Sequence, residues 1–170
     1  ISCVDKFNGM FAICIYDRED DSIYLVRDRI GKKPMYYELD GEDMYFASEL
    51  KPIMSRPGFA KKIRKDIVTR YLYQQYINAP DTIFENVYKL EPGSILHYQN
   101  GHVKTWKYWD VKKVYHKMQE NPVTDYAQAK TELKELLKKS VASRMISDVP
   151  LGAFLSGGYD SSLITAIAQE

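Results

Sequence analysis

The chain has 170 residues, of which 24 are basic and 23 acidic, giving a formal net charge of +1. That length is enough for one ordinary domain with a real core and does not require two. The balanced charge points to neither nucleic acid nor an anionic membrane surface as a partner, and the longest apolar runs reach only about half a membrane span.

Two cysteines without C-x-x-C spacing, and three scattered histidines, do not form a zinc pattern. The start, Ile1-Ser2-Cys3-Val4, shows neither an initiator Met nor a signal-peptide pattern, and is expected to lie inside a longer protein.

In chain order, Phe11 to Tyr16 is an apolar run followed by the charged turn Arg18-Glu19-Asp20-Asp21. Cys14 within that run reads as a buried, inert thiol. Ile23-Tyr24-Leu25-Val26 is a second β-branched and aromatic run. Met35-Tyr36-Tyr37 leads to Asp40-Gly41, a hairpin signal, and Met44 to Ala47 returns. Because these runs lack clean alternation, both faces of their sheets are expected to be covered. Glu49 to Met54 reads as a short helix with Ser48 as its N-cap. Asp66 caps a second helix through Tyr76, with Ile67, Tyr71 and Leu72 on one face.

Further on, Glu91-Pro92-Gly93-Ser94 is a turn, and Ile95 to Tyr98 pairs with Val103 to Trp106 across Asn100-Gly101. The aromatic stretch from Trp106 to Trp109 reads as packed strand rather than as a stacking platform. His97, His102 and His116 read as surface or strand-filling residues. The polar stretch 111–121, closed by Pro122, reads as a linker. Thr124 or Asp125 then caps a helix whose stripe is Tyr126, Ala129, Leu133, Leu136, Leu137, Val141 and Met145.

The most informative stretch is Ser156-Gly157-Gly158-Tyr159-Asp160-Ser161-Ser162. The apolar run 151–155 before it reads as a buried strand, and Leu163, Ala166 and Ile167 after it have helical spacing. Adjacent glycines free the backbone to turn its N–H groups inward and admit phosphate oxygens without a Cβ in the way. A helix N-terminus adds unpaired N–H groups and a positive dipole end. Ser156, Ser161 and Ser162 supply hydroxyls, and Asp160 can hold a divalent cation. The pattern predicts a site for ATP or pyrophosphate. The blander reading is a Gly-Ser turn with a capping aspartate.

S-G-G-Y-D-S-S resembles the S-G-G-x-D-S loop of the ATP-pyrophosphatase superfamily, and no Walker pattern is present. Four earlier stretches are 7–12, 27–37, 46–51 and Glu91-Pro92-Gly93-Ser94. They resemble the forms NGMFAFA, RDxxGxxPLYY, FASExK and PGS of class II (N-terminal-nucleophile) glutaminase domains. Together, in this order, they resemble the glutamine-hydrolysing asparagine synthetases from Phe7 onward. Structural roles are assigned to the four: a tight turn at Gly31 and Pro34, an ion pair between Arg27 and Asp28, and a cap at Ser48. Met35 stands where the family has Leu, and Tyr159 where Leu is common, with its side chain expected to pack.

The resemblance implies α+β architecture followed by α/β. Residues 1–110 would be the C-terminal part of an αββα N-terminal-nucleophile sandwich, 111–124 a linker, and 125–170 the first unit of a doubly wound parallel ATP-pyrophosphatase domain. It implies ATP and Mg²⁺ as cofactors, with glutamine and aspartate as the other small-molecule partners, a cytoplasmic location, and no nucleic-acid or membrane partner. A homodimer stays open. Leu155, Ser156, Gly157, Gly158, Asp160, Ser161 and Ser162 are the expected nucleotide residues, with Asp160 toward Mg²⁺. The glutaminase nucleophile is a cysteine at the mature N-terminus of such enzymes and is expected ahead of Ile1. Cys3 lacks a free α-amine and is not a substitute. Alternatives are another acceptor carboxylate (a sugar acid or peptide), a non-enzymatic remnant, or another SGGxDS enzyme such as a GMP or argininosuccinate synthetase, which the class II motifs disfavour.

Overall fold

Turn chemistry organises the first part of the chain. Strands β1 (Ala12–Asp17) and β2 (Ser22–Arg27) join through the charged turn, where Asp21 takes a φ of 49°. Strands β3 (Tyr36–Asp40) and β4 (Asp43–Ala47) close over Gly41, at φ 62°. After β5 (Val87–Lys89) come β6 (Ser94–Gln99) and β7 (His102–Lys107), joined by Asn100 and Gly101 at φ 48° and 74°. Two successive positive φ values make the tight turn whose twist matches an antiparallel hairpin.

The computed structural model describes all of residues 1–170, in two units, Ile1–Val114 and Tyr115–Glu170. The first unit holds two antiparallel sheets, ordered β1-β2-β6-β7 and β4-β3-β5. Leu25 and Leu96, opposite each other in register, pack with Met35, Tyr37 and Leu90 between the sheets. Val4, Val26 and Ile95 form a second cluster on the other face of the four-stranded sheet, joined there by Phe11, Trp106 and Tyr108. Helix α1 (Leu50–Met54) places Ile53 with Phe84 and Val87 against the three-stranded sheet. Each fully buried Leu, Ile or Val contributes about 1.5–3 kcal/mol relative to exposure.

Several sequence expectations change. Cys14 is exposed rather than buried, because β1 is an edge strand paired only with β2, and Ile15 and Tyr16 beside it are exposed too. Coverage of both sheet faces therefore fails at β1. Glu49, not Ser48, is the N-cap of α1, and makes no capping bond. Helix α2 (Lys65–Gln74) starts after Arg64 rather than Asp66, whose carboxylate instead pairs with the Arg64 guanidinium. Of its expected apolar face only Ile67 is buried, while Tyr71 and Leu72 are exposed. His97, by contrast, fills strand β6 in keeping with its reading as a surface or strand-filling residue, half-buried and stacked on Tyr24 with ring centroids 4.5 Å apart.

The polar stretch expected as a linker contains helix α3 (Val111–Gln119). Its start is fixed by Asp110, whose Oδ1 accepts from the backbone N–H groups of Lys112 and Lys113. The second unit contains α4 (Tyr126–Ala142) and α5 (Tyr159–Gln169). Asp125 caps α4 as expected, accepting from the Gln128 N–H at 2.7 Å. The α4 stripe is largely exposed, as is Tyr159, which was expected to pack. Residues 151–155 form no strand. A strand exists only when a neighbour completes its ladder, and no parallel pairing occurs in either sheet. No helix is long and apolar enough to cross a membrane.

Candidate functional site

The Gly-Gly segment sits where the chain turns into α5. Gly157 has a φ of 79°, in the left-handed region, where a Cβ is strained even though nothing lies within 4 Å of it. Gly158 is the N-cap of α5, with φ −76° and ψ 161°, and no side chain caps that helix. The first orphan N–H groups of α5 thus lack a side-chain partner, which suits an anion. Its first backbone bond runs from Ser162 N–H to the Gly158 carbonyl at 3.1 Å. Asp160 lies in the first turn, where the dipole favours its negative charge.

The two serine hydroxyls form a relay. Ser161 Oγ donates to the Gly158 carbonyl at 3.1 Å, and Ser156 Oγ lies 3.0 Å from Ser161 Oγ. Each hydroxyl carries one proton. With Ser161 already donating, Ser156 must donate to Ser161. An arriving phosphate must redirect at least one of these protons, so the hydroxyls are placed nearby but are internally satisfied.

The structure thus brings Ser156, Gly157, Gly158, Asp160, Ser161 and Ser162 into one turn. Leu155 is exposed on its approach. A cation finds one carboxylate here, Asp160, and no group of three or more His, Cys, Asp or Glu is arranged to hold a metal ion by itself. That fits Mg²⁺ only in its usual phosphate-bound manner, with one or two protein carboxylates and the remaining positions filled by phosphate oxygens and water.

In the first unit the most elaborate polar site is the turn after β2. Asp28 is 1% exposed and accepts from the N–H groups of Phe11, Ile30, Lys32 and Lys33 at 2.9–3.3 Å. Burial pushes its carboxyl up, but these four donors outweigh burial and hold it below the usual carboxylate range. Arg27 donates to the carbonyls of Leu90, Gly31 and Lys33 at 2.6, 2.8 and 2.9 Å. The expected Arg27–Asp28 ion pair is therefore not what holds the turn; each residue satisfies backbone groups of the opposite kind.

The same turn is locked to the Glu91-Pro92-Gly93-Ser94 stretch. Gly93 N–H donates to the Asp28 carbonyl, and the Gly93 carbonyl accepts from Tyr108 and Trp109. These contacts explain two glycines. A Cβ on Gly31 would meet Pro92 Cγ at 2.8 Å, and one on Gly93 would meet the Trp109 carbonyl oxygen at 2.5 Å.

Two family models match the chain. One, described as glutamine amidotransferase domain, covers residues 1–109, and another, described as asparagine synthase, covers residues 132–170. The chain belongs to the glutamine amidotransferase domain family. It is similar to a putative asparagine synthetase [glutamine-hydrolyzing] 2 of Methanocaldococcus jannaschii, at 40% identity over 99% of this chain and 32% of that protein. It is also similar to asparagine synthetase [glutamine-hydrolyzing] 1 of Bacillus subtilis, at 37% identity over 97% of this chain and 25% of the relative. A third relative is asparagine synthetase B [glutamine-hydrolyzing] of Escherichia coli, 32% identical over 98% of this chain and 24% of the relative. The chain therefore spans about a third or less of the length of these relatives.

Within the amidotransferase part, the sequence marked Arg27, Asp28, Gly31, Pro92 and Gly93, and the structure joins all five. It marked Tyr37 only as the end of the stretch 27–37 and did not mark its strand partner Tyr88. Tyr37 meets β5 only through the β3–β5 register, which pairs it with Tyr88, and no local spacing announces that pairing.

Proposed function

We propose that this chain is part of a glutamine-hydrolysing asparagine synthetase. The supporting observation is the order of the two family matches in one chain, amidotransferase at 1–109 and asparagine synthase at 132–170. In this reading residues 1–110 belong to an αββα N-terminal-nucleophile sandwich, 111–124 connect, and 125–170 open a doubly wound ATP-pyrophosphatase domain. Glutamine supplies ammonia, ATP activates the side-chain carboxylate of aspartate as an acyl adenylate, and ammonia displaces AMP to give asparagine. A carboxylate is a poor electrophile until one oxygen becomes a good leaving group, which adenylation achieves.

Leu155 would lie against the nucleotide. The amides of Gly157 and Gly158 and the hydroxyls of Ser156, Ser161 and Ser162 would hold pyrophosphate, and Asp160 would face Mg²⁺. The cation would neutralise charge that builds as the bond between the α and β phosphates breaks. The uncapped α5 N-terminus and the left-handed Gly157 support this placement. The same chemistry on a sugar-acid or peptide carboxylate keeps every one of these roles.

The test is titration of the chain with magnesium pyrophosphate, read by amide exchange over 156–162. We expect protection of the loop in the parent chain, weakened in Asp160→Ala and abolished in Gly158→Val. A Cβ at position 158 meets no protein atom closer than 3.7 Å, so the branch it carries is aimed at the ligand's approach rather than at the packed fold. Equal protection in Gly158→Val would overturn the loop assignment.

A further inference from the structure

Strand β1 is an edge of the four-stranded sheet, with β2 as its one neighbouring strand. The Asp28 N–H donates to the Phe11 carbonyl at 2.9 Å, continuing the register that sets Ala12 opposite Arg27. Hydrogen-bonded and non-hydrogen-bonded pairs alternate along an antiparallel ladder. Ile13, Ile15 and Asp17 therefore turn their N–H and C=O groups to β2, while Ala12, Cys14 and Tyr16 turn theirs away. None of those outward groups has a partner in the protein.

We propose that two copies of this chain pair along β1, antiparallel about a two-fold axis at Cys14, and so join their four-stranded sheets into one.

Three observations carry this. First, β1 lacks the protection of the other edges. Edge strands are kept from pairing by charge, shortness or cover. Strand β7 carries His102, Lys104 and Lys107, and β5 has only three residues. The Arg56 guanidinium lies over Tyr45 of β4, 4.3 Å from the ring centroid. From Ala12 to Tyr16, β1 has no charged residue and no proline, and Cys14, Ile15 and Tyr16 are exposed.

Second, the outward groups select one register. A hydrogen-bonded pair needs an outward residue on each strand. The register centred on Cys14 uses all of them, setting Ala12 opposite Tyr16 of the other copy and Cys14 opposite Cys14. A shift in either direction leaves Ala12 or Tyr16 without an opposite number in the strand.

Third, that register is self-complementary. Ile13 faces Ile15 of the other copy in a closer, non-hydrogen-bonded pair, on the face that carries Val26. Asp17 falls opposite Phe11, so no like charges meet. A two-fold contact uses the same edge of both copies and closes on itself, which gives a dimer. The pairing rests on strand geometry and is independent of the synthetase reading.

A six-residue edge is short for a stable interface, so sedimentation of the chain should show monomer passing to dimer between about 10 μM and 1 mM. Amide exchange should slow with concentration at Ala12, Cys14 and Tyr16, and stay unchanged at Ile13 and Ile15, which already bond to β2. Cys14→Lys sets two ammonium groups opposite each other and should weaken the dimer about fivefold or more, with the fold intact by circular dichroism. Cys14→Ser should retain it, and His102→Lys, which adds the same charge to the opposite edge, should not matter. With Cys3 replaced by Ser, a short bismaleimide should join the copies through Cys14. A chain that stays monomeric to about 1 mM overturns the proposal and leaves the edge to a strand from elsewhere in a longer polypeptide. So does a dimer that folded Cys14→Lys leaves intact, equal loss in His102→Lys, or slowed exchange on β7 instead of β1.

Discussion

Arg27 and Asp28, neighbours at the end of β2, hold one turn from opposite electrical sides without pairing with each other. Arg27 collects three carbonyl oxygens while Asp28 collects four N–H groups. Between them they satisfy seven backbone groups that have no helix or sheet to serve them. An arginine has donors only and an ionised aspartate acceptors only, so the two residues cannot exchange roles.

From this follows a prediction for Asp28. Removing a buried acceptor strands the donors it served, each at a cost of about 1–3 kcal/mol. Asp28→Ala should therefore lower unfolding stability by about 3 kcal/mol or more, and Asp28→Asn, which keeps one acceptor oxygen, by about 2 kcal/mol. Urea unfolding measures both. The Asn variant losing as much as the Ala variant would show that the second carboxylate oxygen, rather than the number of donors served, is what matters.

Acid sensitivity should follow the same residue. The folded-state pKa of Asp28 is depressed relative to the unfolded chain. Its stabilisation is therefore fully present above the unfolded carboxyl value near about 4 and is lost as pH falls through the lower folded value. Stability measured downward from about pH 5 should drop more steeply in the parent than in Asp28→Asn, which has no carboxyl to protonate. Parallel curves would remove Asp28 from the acid response.

Two glycines with the same backbone conformation should respond differently to alanine. Gly41 and Gly93 have φ values of 62° and 65°, but a Cβ on Gly41 meets nothing within 4 Å. Gly41→Ala therefore carries only left-handed strain, about 1 kcal/mol. Gly93→Ala adds the overlap with the Trp109 carbonyl and should cost about 3 kcal/mol. Thermal unfolding of the two variants separates strain from collision, and equal losses would mean that the segment at Trp109, just after β7, yields freely.

What was legible in the sequence was local. Asp40-Gly41 and Asn100-Gly101 announced their hairpins because the φ values required there suit those residues. Asp125 announced α4 because a cap acts within one turn. What failed depended on distant partners. Cys14 has a core-like sequence context, yet its burial is decided by whether a second strand flanks β1, and none does. Residues 151–155 have strand composition but no ladder. Helix α3 was masked by polar composition, although Val111, Val114, Tyr115 and Met118 recur at helical spacing after the Asp110 cap. In the candidate nucleotide loop the residues were legible, because Gly-Gly and its serines act on adjacent backbone. The Ser156–Ser161 relay was not, since it needs the turn already folded.

Cys3 gives a chemical prediction. It lies behind Ile1 and Ser2 in the turn Ser2–Lys6, so its nitrogen is an amide and cannot serve as the base that activates an N-terminal thiol. The purified chain should release ammonia from glutamine no faster than its Cys3→Ala variant. A Cys3-dependent rate would assign the nucleophile to this thiol after all.

The last prediction concerns how stability is distributed between the units. In the first, Leu25, Val26, Ile95 and Leu96 are at most 1% exposed, on strands paired on both sides. In the second, α4 and α5 carry no buried residue. Val141, Ile167 and Ala168, all half-buried, line the groove between them, and the exposed Lys138–Glu170 pair links them. Surface ion pairs contribute little, and two helices meeting along a narrow seam bury too little apolar area to offset the backbone entropy of ordering them. The amides of α4 and α5 should therefore open with low free energy, while those of β2 and β6 approach the global unfolding limit. Hydrogen exchange at neutral pH should show residues 159–169 exchanging at least about a hundredfold faster, relative to their intrinsic rates, than Leu25 and Leu96. Protection at Leu163 to Ile167 equal to that at Leu25 would mean that the helical unit is stable in its own right, and that its narrow seam is worth far more than its buried area indicates.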